Sequence, residues 1–101
     1  MPVSLERWRG QIDALDQKLL ELLNQRARVA LEIGRRKHAA GIALRDPWRE
    51  AAILARMRER NPGPLTAAAV ARLFRAILAE SRRVEARTFA KSRPAGKRAR
   101  A

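Results

Sequence analysis

The stretch LLELLNQRARVAL, residues 19–31, decides the fold class of this chain. It belongs to an apolar pattern that recurs in steps of three, four and seven residues, at Leu15, Leu19, Leu22, Val29 and Ile33. Such a pattern is typical of an α-helix that buries one face. Between Leu22 and Val29 the sequence carries Arg26 where another apolar side chain is expected. A guanidinium resists burial unless it is paired, so Arg26 is the first candidate functional residue.

The composition indicates a single all-α domain. A chain of 101 residues has the size of one domain. Twenty residues are alanine and no run alternates β-branched with polar residues, so helix is favoured and a sheet is excluded. The chain has no cysteine, which excludes a disulfide framework and a thiolate metal site and fits a reducing compartment.

The sequence also bears on where the protein acts. The N-terminal residues MPVSLERWRGQ lack the apolar segment of a secretory signal. No stretch approaches the length of about 18 uncharged apolar residues that a membrane span needs. We therefore expect a cytoplasmic protein with no membrane partner.

The net charge of +13 indicates an anionic partner. Five of these charges lie in the last twelve residues, AKSRPAGKRARA, which contain no acid and almost no apolar side chain. We predict a folded domain over residues 1–89 and a basic disordered tail over residues 90–101. Subtracting the five cations of the tail from +13 leaves +8 on the domain. The tail is expected to bind polyanions only weakly and with strong salt dependence.

Three helices are predicted. Their starts are indicated by N-cap residues and by a proline at a first helical position: Ser4, Asp46 with Pro47, and Thr66. The first helix is expected to end at about residues 38–41 and the second at the breaker NPGP, residues 61–64. The third continues to about Phe89.

The length of the first helix predicts a dimer. About 35 residues at 1.5 Å each span about 52 Å, whereas a compact chain of this size has a radius of gyration near ~13 Å. Two shorter helices cannot cover so long an apolar stripe, and a symmetric dimer is the commonest solution. The predicted architecture is an intertwined helical homodimer with three helices per chain.

Polar residues interrupt the apolar face of every predicted helix. Lys37 lies eleven residues after Arg26, about three turns, and so on the same face. The other two helices carry inward-facing polar residues at Asp46, Arg49, Glu50, Ser81 and Glu85. One interpretation is structural, with Arg26 snorkelling to water or bridging to Glu50 or Glu85. The other is a cavity whose excess of cations prefers an anionic ligand with several oxygens.

Arg9 is a further candidate that one chain alone cannot use. It precedes Arg26 by seventeen residues, about 25 Å along a helix, so no small ligand contacts both on one helix. In a dimer with antiparallel long helices, Arg9 of one chain approaches Arg26 of the other. A site that lies across the interface would use both arginines.

Four motifs carry a resemblance to a known family. They are R..ID.LD..LL.LL..R over residues 9–26, G..K over 34–37, RD..RE over 45–50 and RLF..I...S over 72–81. In this order and spacing the chain resembles the all-helical chorismate mutases of the AroQ class, over residues 5 to about 88. The resemblance implies an intertwined dimer with two shared active sites, which converts chorismate to prephenate in phenylalanine and tyrosine synthesis.

The resemblance also implies a role for each candidate residue. Arg26, together with Arg9 of the partner chain, is similar to the clamps on the two carboxylates of the substrate. Lys37 resembles the cation beside the ether oxygen. Glu50 with Asp46 resembles the pair that holds the ring hydroxyl. Arg49 and Ser81 resemble residues that complete the wall of the site. Glu85 stands where most bacterial members carry a glutamine that donates to the ether oxygen and where certain fungal relatives carry glutamate.

The chemistry implied by the resemblance suits this set of residues. A pericyclic rearrangement needs no nucleophile, metal or cofactor, and we expect none of them here. It needs the substrate held in its reactive conformer and donors placed where negative charge develops. A carboxylate donates only when it is protonated, so Glu85 is expected to act as the neutral acid.

Two alternative functions and one question of partners remain open at the level of sequence. An isochorismate-pyruvate lyase has a similar fold and cationic site, although the presence of both Asp46 and Glu50 favours the mutase. A basic nucleic-acid-binding helical protein would explain the charge, although no helix-turn-helix pattern is evident. The enzyme could also dock on another enzyme of the shikimate pathway. Among the remaining residues, His38 is interpreted as solvated or capping, and Trp8 and Trp48 as packing residues.

Overall fold

The computed structural model describes residues 2–90, and this part of the chain forms three α-helices and no strand. The helices are α1 at Pro2–Ala40, α2 at Pro47–Arg60 and α3 at Ala67–Phe89. The predicted all-α class is confirmed. Apart from Ala90, the residues of the predicted basic tail lie outside the described part of the chain.

Local capping explains where α2 and α3 begin. The carboxylate Oδ1 of Asp46 accepts a hydrogen bond from the backbone N–H of Arg49 at 3.0 Å, and Pro47 occupies the first helical position. The hydroxyl of Thr66 accepts one from the backbone N–H of Ala69 at 3.0 Å. Both predicted caps are confirmed.

The predicted cap at Ser4 is wrong, because α1 already begins at Pro2. The proline ring fixes φ near the helical value and lacks only an N–H that the first turn leaves unpaired in any case. Helix therefore forms two residues earlier than the serine indicated, and Ser4 lies inside the first turn.

A glycine turn ends α1 one turn beyond Lys37. The backbone N–H of Ile42 donates to the carbonyl of Lys37 at 2.8 Å, and that of Gly41 donates to the carbonyl of His38 at 3.2 Å. This pair of bonds is a Schellman motif, which needs a left-handed residue. Gly41 supplies it at a φ of +73°. The turn leads into the segment that contains Leu44 and Asp46.

The third helix is the centre of the packing, because it contacts both α1 and α2. The buried apolar core is small and lies around α3, at Ile53, Val70, Ala71 and Leu78. The chain as described measures 71 × 25 × 14 Å and has a radius of gyration of 18.5 Å. This exceeds the ~13 Å of a compact chain of similar length, since α1 extends beyond the other helices.

The N-terminal half of α1 presents a continuous apolar stripe to solvent. Its members are each more than half exposed, namely Leu5, Trp8, Ile12, Leu15, Leu19 and Leu22. A single chain therefore leaves uncovered the surface that its sequence pattern marks for burial. None of the helices over residues 2–90 is long and apolar enough to cross a membrane.

Neither tryptophan that was interpreted as a packing residue is buried within one chain, since the side chain of Trp8 is 59% exposed and that of Trp48 is 88% exposed. The exposure of Trp48 follows from its position on α2. It lies five residues before the buried Ile53, and five residues turn a helix by about 140° beyond a full rotation. The indole therefore points away from α3.

Candidate active site

A cavity of about 270 Å³ opens where the middle of α1, the start of α2 and the C-terminal half of α3 meet. Its polar wall contains seven of the eight residues predicted for the site, together with one that was not: Arg26, Lys37, Asp46, Arg49, Glu50, Ser81, Glu85 and Arg82. Its apolar wall includes Val29, Ile33, Leu44, Ile53 and Leu78. A cavity of this kind, with few convergent polar groups on an apolar wall, is the usual form of a small-molecule site.

Arg26 extends from α1 into this cavity. Its Nη1 donates a hydrogen bond to the hydroxyl oxygen of Ser81 on α3 at 3.1 Å. Neither of the structural bridges considered for it, to Glu50 or to Glu85, is present among the described residues. Because a hydroxyl carries no charge, the guanidinium keeps its positive charge and most of its five donors for a ligand.

The first turn of α2 supplies three polar groups. Arg49 and Glu50 are consecutive residues of this turn and both line the cavity, as does Asp46, the N-cap residue of α2. One oxygen of Asp46 already accepts the capping hydrogen bond from Arg49. The carboxylate of Glu50 accepts a hydrogen bond from Nη1 of Arg82 at 2.5 Å through its Oε1. A carboxylate in the first turn of a helix is also favoured by the helix dipole.

Glu85 is the residue whose titration the cavity changes. Burial raises the pKa of its carboxyl group, the Lys37 ammonium opposes this, and the nearby Glu50 carboxylate raises the pKa further, so that the net shift is upward. Desolvation and a like charge both favour the neutral form of an acid. The arrangement therefore extends the pH range in which Glu85 carries a proton and donates a hydrogen bond.

The close approach of α3 to α1 at this end depends on Gly34, which is buried. A Cβ atom at this position would lie 3.0 Å from Cε2 of Phe89, and 3.5 Å from both Cγ and Oε2 of Glu85. A side chain at this position would crowd the Phe89 ring and come into ordinary contact with Glu85. The G..K motif places Lys37 one turn further along the same helix.

Of the two interpretations of His38, solvated or capping, the structure contradicts the first, and its carbonyl accepts the hydrogen bond from Gly41 in the turn that ends α1. Its ring is half-buried and stacks on Phe89, with centroids 5.1 Å apart and an interplanar angle of 23°. The two residues lie 51 positions apart in the chain, and only the packing of the end of α3 on the end of α1 brings them together. Neither residue of the pair lines the cavity.

Charges in the cavity do not cancel. Its wall carries four cations and three carboxylates, namely Arg26, Lys37, Arg49 and Arg82 against Asp46, Glu50 and Glu85. One chain therefore offers a net charge of +1 when all are ionised, and +2 when Glu85 is protonated. Within residues 2–90, no group of three or more potential ligand side chains is arranged to hold a metal ion.

Arg9 is the predicted site residue that the cavity of a single chain does not include. It lies exposed on the extended part of α1, in the same segment as Trp8 and Ile12. Its predicted contribution across a dimer interface stays a prediction.

Arg82 is the cavity residue that the sequence argument missed. The signal was present, because Arg82 follows the buried Leu78 by four residues and precedes Glu85 by three. These spacings place all three on one face of α3. In a chain with 23 lysines and arginines, a further arginine was not distinctive.

A long helix and two shorter ones thus enclose a cavity of mixed charge that has the form of a small-molecule site, and comparison with known proteins gives the family. Residues 8–86 match the family model "Chorismate mutase type II". The chain belongs to this chorismate mutase family.

Individual relatives agree with the family assignment. The chain is 44% identical over 77 residues to a bifunctional chorismate mutase/prephenate dehydratase of Neisseria gonorrhoeae, covering 76% of this chain and 21% of that protein. It is 42% identical over 79 residues to the protein of the same description from Pseudomonas aeruginosa, covering 73% and 22%. The chain thus spans about a fifth of the length of these curated relatives.

A solved structure has the same fold over nearly its whole length. The chorismate mutase (form II) of Thermus thermophilus superposes with a TM-score of 0.81 at 33% sequence identity, covering 83% of this chain and 96% of that one. The predicted three-helix architecture and the resemblance noted in the sequence are both confirmed.

Proposed function

We propose that this protein is a chorismate mutase, which converts chorismate to prephenate by restricting the conformation of the substrate and stabilising developing charge, without a covalent intermediate. The observation that carries the proposal is the convergence of Arg26, Lys37, Glu50, Ser81 and Glu85 on one cavity from three helices. The net positive charge of the cavity suits a dianionic substrate. Membership of the family supports the same reaction.

The carboxylates of the substrate are the groups that fix its conformation. Arg26 presents a planar guanidinium with no carboxylate partner among the described residues, and arginine binds carboxylates through two parallel hydrogen bonds. The second carboxylate requires another cation, and we assign it to Arg9 of a partner chain. Holding both ends of the substrate brings the two carbon atoms that must join within reach of each other.

Charge stabilisation at the ether oxygen is assigned to Lys37 and Glu85. As the C–O bond breaks, this oxygen takes up negative charge, and donors aimed at it lower the barrier. Lys37 donates as an ammonium group, and Glu85 donates only when protonated. Glu50, with Asp46, holds the ring hydroxyl, while Arg49 and Ser81 complete the wall.

A homodimer with shared sites is part of the proposal. Six large apolar residues of the first half of α1 are more than half exposed in one chain, and a second antiparallel copy would cover them. The same arrangement would bring Arg9 of one protomer towards Arg26 of the other. Each site would then contain residues from both chains.

We place the reaction in the biosynthesis of phenylalanine and tyrosine, in the cytoplasm. Two of the curated relatives join the mutase to a prephenate dehydratase in one chain, which consumes the product proposed here. Docking of this chain on another enzyme of the pathway would likewise bring the enzyme that consumes prephenate close to the mutase.

The test is a parallel assay with chorismate and isochorismate. We expect the absorbance of the chorismate diene to fall on addition of protein and prephenate to appear, with no pyruvate released from isochorismate. Release of pyruvate from isochorismate without turnover of chorismate would identify the lyase instead. Turnover of neither compound, together with a salt-sensitive gel shift of plain DNA, would contradict the enzymatic proposal.

A further inference from the structure

Arg82 has a position in the cavity that none of the roles above explains. It lies on α3 one residue after Ser81, lines the same cavity, and donates from Nη1 to Oε1 of Glu50 at 2.5 Å. The side chains of Arg82 and Glu50 are 35% and 20% exposed, so the pair is partly withdrawn from water. Each of the other three ion pairs among the described residues joins two exposed side chains that lie three or four positions apart on a single helix. The Arg82–Glu50 pair alone in this part of the chain joins two helices.

The contact leaves one oxygen of Glu50 available. Arg82 occupies Oε1, and no other described residue donates a hydrogen bond to this carboxylate. A glutamate side chain has three rotatable bonds, and an unconstrained one spreads its carboxylate over many positions. A charge-assisted hydrogen bond to one oxygen fixes the direction in which the other accepts.

We propose that Arg82 is a positioning residue that orients Glu50 for the ring hydroxyl of the substrate and balances its charge. This inference rests on the proposed function, because it assigns a role to the carboxylate that the reaction uses for binding. Arg82 does not contact the reacting atoms. It acts through Glu50, and it supplies the fourth cation of the wall.

Electrostatics support the second part of the proposal. Without Arg82 the wall would hold three cations against three carboxylates, so the net charge of the cavity would fall to zero with Glu85 ionised and to +1 with Glu85 protonated. A dianion would then enter a less positive cavity that contains an uncompensated glutamate. Leaving a partly buried carboxylate without its partner is also unfavourable in itself.

A purely structural role for the pair predicts a different result. If Arg82 only fastened α2 to α3, its removal would lower the melting temperature and leave the kinetics of the folded enzyme unchanged. A positioning role predicts a loss of substrate binding whose size depends on Glu50. Double-mutant cycles distinguish the two, because a residue that acts through another has no effect once the other is changed.

The experiment compares Arg82→Met, Arg82→Lys, Glu50→Gln and the double variant Arg82→Met/Glu50→Gln in steady-state assays with chorismate. Arg36→Met is the matched control, since Arg36 also pairs with a glutamate, Glu32, but is 79% exposed and outside the cavity. We expect Arg82→Met to reduce kcat/KM by about tenfold, mainly through KM, as the loss of one charged hydrogen bond implies. Arg82→Lys should recover part of this loss, and Arg36→Met should match the wild type.

The double variant decides the interpretation. In the Glu50→Gln background, Arg82→Met should change kcat/KM by less than about twofold. An unchanged KM in Arg82→Met, or an equal loss in both backgrounds, would overturn the positioning role while leaving the proposed function intact. If the wild-type protein failed to convert chorismate at all, the proposed function and this inference would fall together. Melting curves of each variant separate a loss of folding from a loss of binding.

Discussion

Replacing Glu85 with glutamine tests whether this side chain stabilises charge on the ether oxygen, as proposed. Burial and the Glu50 carboxylate raise the pKa of Glu85, and the Lys37 ammonium only partly offsets them. A bound dianion adds negative charge nearby and occupies Arg26, so the raising effects grow in the complex. Only the protonated acid donates, and activity should therefore be present below the pKa of Glu85 and be lost as the pH rises through it.

The dependence of activity on pH above the pKa of Glu85 has a defined slope. Above the pKa, each further pH unit reduces the protonated fraction about tenfold, equivalent to about 1.4 kcal/mol in the barrier. We expect turnover to increase as the pH falls from about 8 towards about 5, because the protonated fraction of Glu85 grows in that direction. Glutamine is a neutral donor of similar shape, so Glu85→Gln should flatten the profile and be more active than the wild type above about pH 7.

The measurement is kcat as a function of pH for the wild type and Glu85→Gln, with Glu59→Gln as the control. Glu59 is an exposed glutamate of α2 that does not line the cavity, so its replacement should leave the profile unchanged. Equal activity of the wild type at pH 8 and pH 5, with no gain for Glu85→Gln at high pH, would refute the reasoning. Lys37 would then be the principal donor to the ether oxygen.

Three further predictions concern assembly and packing. Sedimentation at micromolar concentration should give twice the chain mass of 11.4 kDa, and a stable, active monomer would contradict the shared site. Arg9→Ala and Arg26→Ala should each remove most activity with the fold intact, as judged by circular dichroism. Mixing these two variants under subunit exchange should restore part of the activity, and no recovery despite proven exchange would place Arg9 outside the site. Gly34→Ala should lower the stability of the protein by about 1 kcal/mol, because its Cβ would lie 3.0 Å from Phe89 and this overpacking outweighs the higher helix propensity of alanine, and it should leave kcat nearly unchanged, because Glu85 would lie at an ordinary contact distance of 3.5 Å. Thermal denaturation and kinetics would measure both quantities, and a variant as stable as the wild type would mean that Phe89 moves aside without cost.

The helices and their ends were predictable because the signals are local. An N-cap residue such as Asp46 or Thr66 acts on the backbone three residues away, and the prediction needs no knowledge of the rest of the chain. The interruption of the α1 stripe by Arg26 is equally local, and the structure places that residue in the cavity. The prediction for Ser4 was wrong because Pro2, two residues earlier, is also favoured at the start of a helix, and α1 begins there.

The contacts between helices were not predictable in the same way. The pairing of Arg82 with Glu50 depends on how α2 and α3 are rotated about their axes and where they cross, and no period in either helix specifies this. The stacking of His38 on Phe89 depends likewise on the approach of α3 to Gly34. The sequence identified which faces are polar, whereas tertiary packing determined which polar groups meet.

The exposed first half of α1 has a consequence for how the active site comes into existence. About twenty residues of isolated helix are only marginally stable in water, and this segment carries Arg9. If a second copy covers this segment as proposed, three things happen together when the two protomers associate. The helix becomes ordered, its apolar stripe is buried, and Arg9 reaches the site of the partner. The stability of the associated state then rises with the logarithm of protomer concentration. If the site is shared between two protomers as proposed, specific activity should fall on dilution as the protomers separate.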